Sequence, residues 1–374
     1  MENIGILHLS DIHANIDSKK KIDHLLNAML DDLNDLKQEY NTRIEAVCIS
    51  GDLINSGDNS DTELGIVFDN LIAPLMKKLH ITEKAIFIVP GNHEVKRSKI
   101  ANYIEVGLEN TLKSEESIND FTKNLDPKAL ERISYFDDFS SLFHENYAYK
   151  SALAEAFIFE CNGVSFGIAC INSSWRSTGI GIAEKGKLVV GQQQIIESLD
   201  AISSADIKIC VMHHPIDWLV DADKMSLQKC LNGFDLVLNG HIHEPWTETL
   251  ITYNGKTVFD TCGKFDDSKD SYNGYNLISI NPYNKECLIM LRQYYGYPRN
   301  RYDKAIGLNE DGVFRTNLKV KNKELALAFE ITQSIKNKFL VKSNSFGKCI
   351  ENSIYCSSII FPIITLKSFK SFLL

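Results

Sequence analysis

Short apolar runs of strand length recur along the first two thirds of the chain. They are IGILHLS (4–10), EAVCIS (45–50), AIFIVP (85–90), VSFGIACI (164–171), IKICVMH (207–213) and DLVLNG (235–240). Each is rich in Ile and Val and is bounded by polar residues or glycine, as expected of strands buried on both faces. Between the first two runs, Ile22, Leu25, Leu26, Met29, Leu30, Leu33 and Leu36 recur at i, i+3, i+4 and i+7. That stripe predicts an amphipathic helix over Lys19–Tyr40, and a second helix is expected over 62–79. Strand, helix, strand, helix, strand is the order of an α/β domain with helices covering a sheet. Later runs, KTVFDTCG (256–263), YNLISI (275–280) and CLIMLRQYY (287–295), follow one another without helices, so the second half is expected to be more antiparallel. Residues 98–150 break the rhythm with polar, helix-like sequence and read as a helical insertion.

Charge divides the chain. Residues 1–300 carry 28 Lys and Arg against 43 Asp and Glu, and residues 301–374 carry 12 against 6. This asymmetry predicts a main domain over 1–300 and a basic C-terminal extension over 301–374, with a helical patch at 323–340 fit to dock on a partner. The overall formal charge of −9 argues against a mainly electrostatic hold on nucleic acid. The nine cysteines form no C-x-x-C pair, which suits free thiols and a cytoplasmic location. The first residues carry no charged segment followed by an apolar core, so no secretory signal is expected. The apolar stretch at 354–366 is too short to span a bilayer.

Five of the strand-like runs empty directly into chemistry-bearing residues. The first delivers Asp11 and His13, the second Asp52, and the third Asn92, His93 and Glu94. The fifth delivers His213 and His214, and the sixth His241 and His243. In open α/β sheets ligands gather beyond the carboxyl ends of strands, so these groups are expected to share one crevice. Carboxylate, imidazole and amide oxygen suit divalent metals of intermediate hardness. One such strand end means little, since turns are commonly polar; five in order are a pattern.

The ordered series Asp11-x-His13, Gly51-Asp52, Gly91-Asn92-His93-Glu94, His213-His214 and Gly240-His241-x-His243 resembles the calcineurin-like metallophosphoesterase superfamily. The resemblance covers about residues 4–300. It implies a four-layer α/β/β/α sandwich holding two divalent metal ions, with Mn, Fe, Zn and Co all compatible. Carried over by position, Asp11, His13 and His243 would bind one metal, and Asn92, His213 and His241 the other. Asp52 would bridge them, and His93 would assist the leaving group as a metal-activated hydroxide attacks. Family members often have Asp where this chain has Glu94. The expected activity is phosphoester hydrolysis, with a phosphodiester, such as a nucleotide, ahead of a phosphomonoester. A nuclease or an effector module of a larger assembly is the alternative.

Two weaker signals complete the reading. Trp175 and Arg176 follow a strand near the expected crevice, where they would serve as a stacking wall and a phosphate contact, or else as a loop anchor. The segment RQYYGYPRNR (292–301) interleaves arginines with three tyrosines, a pattern that holds nucleic acid in some proteins and is a strand edge in most.

Overall fold

The computed structural model describes residues 2–319 apart from 180, 253–254 and 269–271. The chain begins with β1 (Asn3–Leu9), α1 (Lys19–Tyr40), β2 (Thr42–Ile49), α2 (Ser60–Val67), α3 (Ala73–Leu79) and β3 (Ile86–Ile88). Four short helices follow: α4 (Asn102–Thr111), α5 (Glu115–Lys123), α6 (Pro127–Leu130) and α7 (Tyr135–Ser140). Next come β4 (Tyr149–Lys150), β5 (Ala154–Cys161), β6 (Val164–Ile171), α8 (Gln192–Ala201), β7 (Ile207–Met212), α9 (Asp221–Leu231) and β8 (Leu236–Asn239). The last elements are β9 (Trp246–Thr252), β10 (Gly255–Thr261), β11 (Gly274–Ile280), β12 (Glu286–Tyr295), β13 (Arg301–Lys304) and β14 (Val313–Asn317).

These strands form two mixed sheets. One has the order β13-β12-β11-β1-β2-β3, with β14 also paired to β12; the other runs β4-β5-β6-β7-β8-β10-β9. Strands β1, β2 and β3 are mutually parallel, as are β6, β7 and β8, while β11 and β12 pair antiparallel. Alternation along β1 shows how the layers are built. Ile4 and Ile6 point between the sheets, toward Phe166, Ile168, Val211 and Leu238, whereas Leu7 and Leu9 point outward to α1. On the far side of the second sheet, Ile171, Cys210 and Met212 pack with Ile195, Leu227 and Leu231 of α8 and α9. The result is the four-layer α/β/β/α arrangement.

Helix α1 buries Ile22, Leu25, Leu26, Met29, Leu33 and Leu36, the predicted stripe, and Leu30 packs at its margin. Each such side chain contributes about 1.5–3 kcal/mol on removal from water. The helix stops at Asn41, which takes a left-handed conformation (φ 49°) and lets the chain turn straight into β2. The helix expected over 62–79 is two helices joined by a π turn at Phe68–Ile72. The widened turn shifts the helical phase and keeps Leu71, Ile72 and Leu75 against the core.

The charge boundary at 300 is not a structural one. The compact unit extends to Lys319, and β13 and β14 extend the first sheet, with Tyr302 and Val313 buried. The helical patch at 323–340 and the apolar stretch at 354–366 lie outside the described residues. The seven cysteines among the described residues are all free, and no helix among those residues is long and apolar enough to cross a membrane.

Residues 292–295 end β12, and 296–300 form the exposed turn into β13. The Arg292 guanidinium is buried and donates from Nε to Asp32 Oδ2 at 2.8 Å and from a terminal nitrogen to Oδ1. Tyr275 donates its hydroxyl to the same carboxylate. Tyr294 is buried and pairs with His24 at 2.8 Å. Neither Arg292 nor Tyr294 is presented to a nucleic acid. The Asp32–Arg292 pair ties α1 to β12 from inside, where removing one partner leaves the other charge stranded. Asp32→Ala is therefore expected to lower the unfolding free energy by about 3–5 kcal/mol. The check is a reduced urea midpoint at unchanged slope, largely restored by an apolar replacement of both residues.

Candidate metal centre

Because β1–β3 and β6–β8 each run parallel, their carboxyl ends lie together, and the loops leaving them converge. Asp11 N–H donates to Gly51 C=O at 3.0 Å and His13 N–H to Asp52 C=O at 3.0 Å, which locks the loop after β1 to the loop after β2. Gly240 N–H donates to His213 C=O at 3.0 Å and does the same for the loops after β7 and β8. Asp11, His13, Asp52, His241 and His243 all have left-handed backbone, with φ between 45° and 74°. Such conformations are uncommon outside glycine, and side chains held in them cluster at functional sites. Gly51, at φ +97°, supplies the turn into Asp52. Gly240 is required for space, since a Cβ there would fall 1.8 Å from Ser10 Oγ.

All seven predicted ligands meet. His243 Nε2 lies 3.2 Å from Asp11 Oδ1 and 3.2 Å from His13 Nε2. His213 Nε2 lies 3.2 Å from Asn92 Oδ1 and 3.2 Å from His241 Nδ1. Between the two groups stands Asp52, whose Oδ2 is 3.9 Å from His13 Nε2 and 3.3 Å from His213 Nε2. Ligands about 2.0–2.2 Å from one cation are themselves roughly 3.0–3.4 Å apart, so the spacing suits metal coordination. A second sign of fit is that Asp11 Oδ1 and His241 Nε2 are buried without hydrogen-bond partners. Asp11, His13 and His243 form one set able to hold a cation, and Asp11, Asp52 and His213 another. Asp11, Asp52, Asn92 and His213 are buried, while the His243 side chain is 35% exposed, so the cage opens on one side.

The surroundings prepare these groups as ligands. Burial opposes ionisation of Asp11, but the close approach of His243 and the charge of His213 hold it down at about 2. Burial likewise opposes, and His213 and His13 overcome, in lowering the Asp52 carboxyl well below the usual range. Burial drives His13 down to about 4 and His241 to about 3, leaving both neutral with a free lone pair. At His213 burial is outweighed by the Asp52 carboxylate, which raises the imidazole to about 9. His213 Nδ1–H donates to Ser50 C=O at 2.7 Å, which fixes the ring and points Nε2 into the cage.

His93 borders the cage without belonging to its centre. Its ring packs edge-on to His13 at 4.4 Å, its N–H donates to Asp52 Oδ1 at 2.8 Å, and Nδ1 donates to Asn55 C=O at 2.8 Å. Nε2 is left as the chemically available nitrogen. His214 is buried, with Nδ1 3.0 Å from Ser173 Oγ. Its nitrogens also come within reach of His213 and His241, in a cluster of ligand atoms within 4.8 Å. The Ser173 bond occupies Nδ1, while Nε2 is buried without a hydrogen-bond partner.

Glu94 does something that spacing does not reveal. Its carboxylate accepts the N–H groups of Asp52 (2.9 Å), Ile54 (3.0 Å) and Gly91. It thus welds the loops after β2 and β3 together rather than facing a cation. Burial and the neighbouring Asp52 charge push its carboxyl up to about 8. Tyr135 of α7 donates its hydroxyl to Glu94 C=O at 2.5 Å, so the helical insertion braces the same turn.

Trp175 and Arg176 do not line the cage as phosphate or base contacts. Trp175 is fully buried and stacks on Phe121 of α5, ring centroids 5.7 Å apart, because the loop after β6 is anchored under the insertion. Arg176 is buried beside Glu105 of α4, at 3.5 Å. The loop-anchor reading fits Trp175.

With this geometry in view, the similarity to known proteins can be placed. Residues 4–245 match the family model described as calcineurin-like phosphoesterase. No curated protein matches the sequence. Among solved structures the chain is similar to GAP50, described as the anchor in the inner membrane complex of Plasmodium. Identity is 13%, coverage is 86% of this chain and 90% of that one, and the TM-score is 0.41. A Vps29 mutant from Entamoeba histolytica is 12% identical, with 84% and 99% coverage and a TM-score of 0.33. A predicted phosphoesterase from Streptococcus pneumoniae is 11% identical, with 84% and 99% coverage and a TM-score of 0.29. Likeness at this level carries no argument about activity. The family model spans well over half of the chain and includes every one of the seven clustered side chains, and the protein belongs to the calcineurin-like phosphoesterase family.

Proposed function

We propose that this chain is a dinuclear metal-dependent phosphoesterase that hydrolyses phosphodiesters. The observation that carries the reading is the division of seven ligand atoms into two sets sharing the Asp52 carboxylate. Asp11, His13 and His243 would hold one cation, Asn92, His213 and His241 the other, and Asp52 would serve both. When bound, two cations of the manganese, iron, zinc or cobalt type lower the pKa of water toward neutrality and neutralise charge on phosphoryl oxygens.

The chain's own residues do the rest. Two carboxylates, Asp11 and Asp52, against two dications leave a surplus of about two positive charges, which attracts an anionic phosphoester. The exposed His243 side of the cage is the entry. His93, with Nδ1 committed to Asn55 C=O, presents Nε2 to the leaving oxygen and, when protonated, donates to it. An alkyl phosphoester, whether mono- or diester, expels an alkoxide that needs that proton. The free thiols support a reducing, cytoplasmic setting.

A metal-reconstituted panel tests the reading, comparing a bis-aryl phosphodiester, a phosphomonoester, cyclic nucleotides and single-stranded DNA. Turnover of diesters is expected; cleavage of DNA alone would make the chain a nuclease, and no turnover of any substrate would end the proposal. His93→Ala should retain its metal and lose about 10²–10⁴ in kcat on an unactivated diester, with a smaller loss on a p-nitrophenyl leaving group. Parent-like turnover of the unactivated diester would remove His93 from its role. Asp52→Asn should lose both metal and activity. The pH dependence of loading follows from His213. Raised to about 9, this imidazole is protonated at pH 7 and must release its proton to become a ligand. Cation affinity should therefore climb between pH 6 and 9, with acid released during an unbuffered titration; a flat profile would contradict this.

A further inference from the structure

Strand β1 carries one residue that its apolar pattern does not explain. His8 is fully buried on the face between the sheets, on the same side as Ile4 and Ile6. Its Nδ1 lies 2.8 Å from Asp260 Oδ2 and its Nε2 2.9 Å from Ser50 Oγ. Asp260, on β10, is also fully buried. It accepts from Thr247 Oγ1 at 2.8 Å and from Asn276 Nδ2 at 3.0 Å, and Asn276 sits directly across from His8 in the β1–β11 pair.

The direction of the first of these bonds is fixed by chemistry. A carboxylate only accepts, so His8 Nδ1 carries the proton that Asp260 receives. Nε2 pairs with the Ser50 hydroxyl, which also reaches the Leu9 C=O at 3.4 Å. The residue types spell a hydrolytic triad, but Ser50 is fully buried, so its oxygen meets no substrate. What the chain reaches instead is the Ser50 peptide, whose carbonyl accepts from His213 Nδ1 at 2.7 Å.

We propose that Asp260 and His8 are positioning residues for the second cation: through the Ser50 hydroxyl they clamp the peptide whose carbonyl aims His213. The inference rests on the dinuclear reading above and names residues outside its ligand set. Its physical basis is cost. A buried carboxylate and imidazole between two apolar sheets are expensive unless every polar atom is used. Here the pair spans both sheets, with His8, Ser50 and Asn276 on or beside one and Asp260 and Thr247 on the other. It fixes the separation of the sheets directly beneath the cage. His213 comes from the second sheet and its acceptor from the first, so a small sliding of one sheet would misdirect Nε2.

The test is calorimetric titration of the metal-stripped full chain with manganese alone, for the parent and for Ser50→Ala and Asp260→Asn. Ser50→Ala removes only the link between the pair and the peptide and leaves the carbonyl in place. The parent is expected to bind two cations. Both variants should bind one cation as the parent does and the other about 10–100-fold more weakly. At saturating manganese, kcat should recover with an unchanged KM, which a general loss of folding would not produce. Parent-like affinity at both positions in Ser50→Ala, or equal weakening at both, overturns the proposal, whatever Asp260→Asn does; if Asp260→Asn does not fold, Ser50→Ala decides by itself. A parent chain that binds no manganese defeats the dinuclear reading and takes this inference with it.

Discussion

The Asp52 carboxylate stands within 3.9 Å of both His13 and His213, one delivered by the first sheet and the other by the second. Everything else about the site is arranged so that this meeting can occur. Parallel strands bring the loop-bearing ends of each sheet to one side, and the inter-sheet core sets their separation. Five of the candidate ligand residues then bend their backbone into left-handed conformations. Each such conformation costs about 1–3 kcal/mol and persists only where the surroundings over-determine it. Glu94 provides much of that determination by holding the N–H groups of Asp52, Ile54 and Gly91 at once. The strain is located where the chemistry is.

Two kinds of buried charge serve different ends in this protein. Asp32, Arg292 and Tyr275 close on each other far from the cage and join α1 to the first sheet; nothing in that set faces an opening. Asp11 Oδ1 and His241 Nε2, in the cage, are buried without hydrogen-bond partners. A finished network is structural, whereas an unfinished one of ligand atoms invites a cation.

Much of this was legible before any coordinates. The α1 stripe maps onto the core because the helix has one neighbour and one buried face. The seven candidate ligands were legible because each follows an apolar run directly, so knowing the strand locates the side chain. Other features depend on contacts between distant residues and left no local mark. Asp32 lies in the middle of a helix and meets Arg292 only after 260 residues. Trp175 near the crevice reads equally well as wall or anchor until Phe121 of the insertion is seen covering it. The charge break at 300 misplaces the domain edge, since composition is blind to the pairing of β14 with β12. His8 did leave a mark, an imidazole on an otherwise apolar strand face, but only the fold shows that Asp260 and Ser50 are its partners.

The central claim is that one carboxylate is shared by two cations at these side chains. Anomalous scattering from crystals grown with manganese addresses it without reference to any substrate. Two peaks are expected about 3.5–4 Å apart, one beside Asp11, His13 and His243 and one beside Asn92, His213 and His241, with Asp52 between them. A single peak, or none at these residues, would contradict the account.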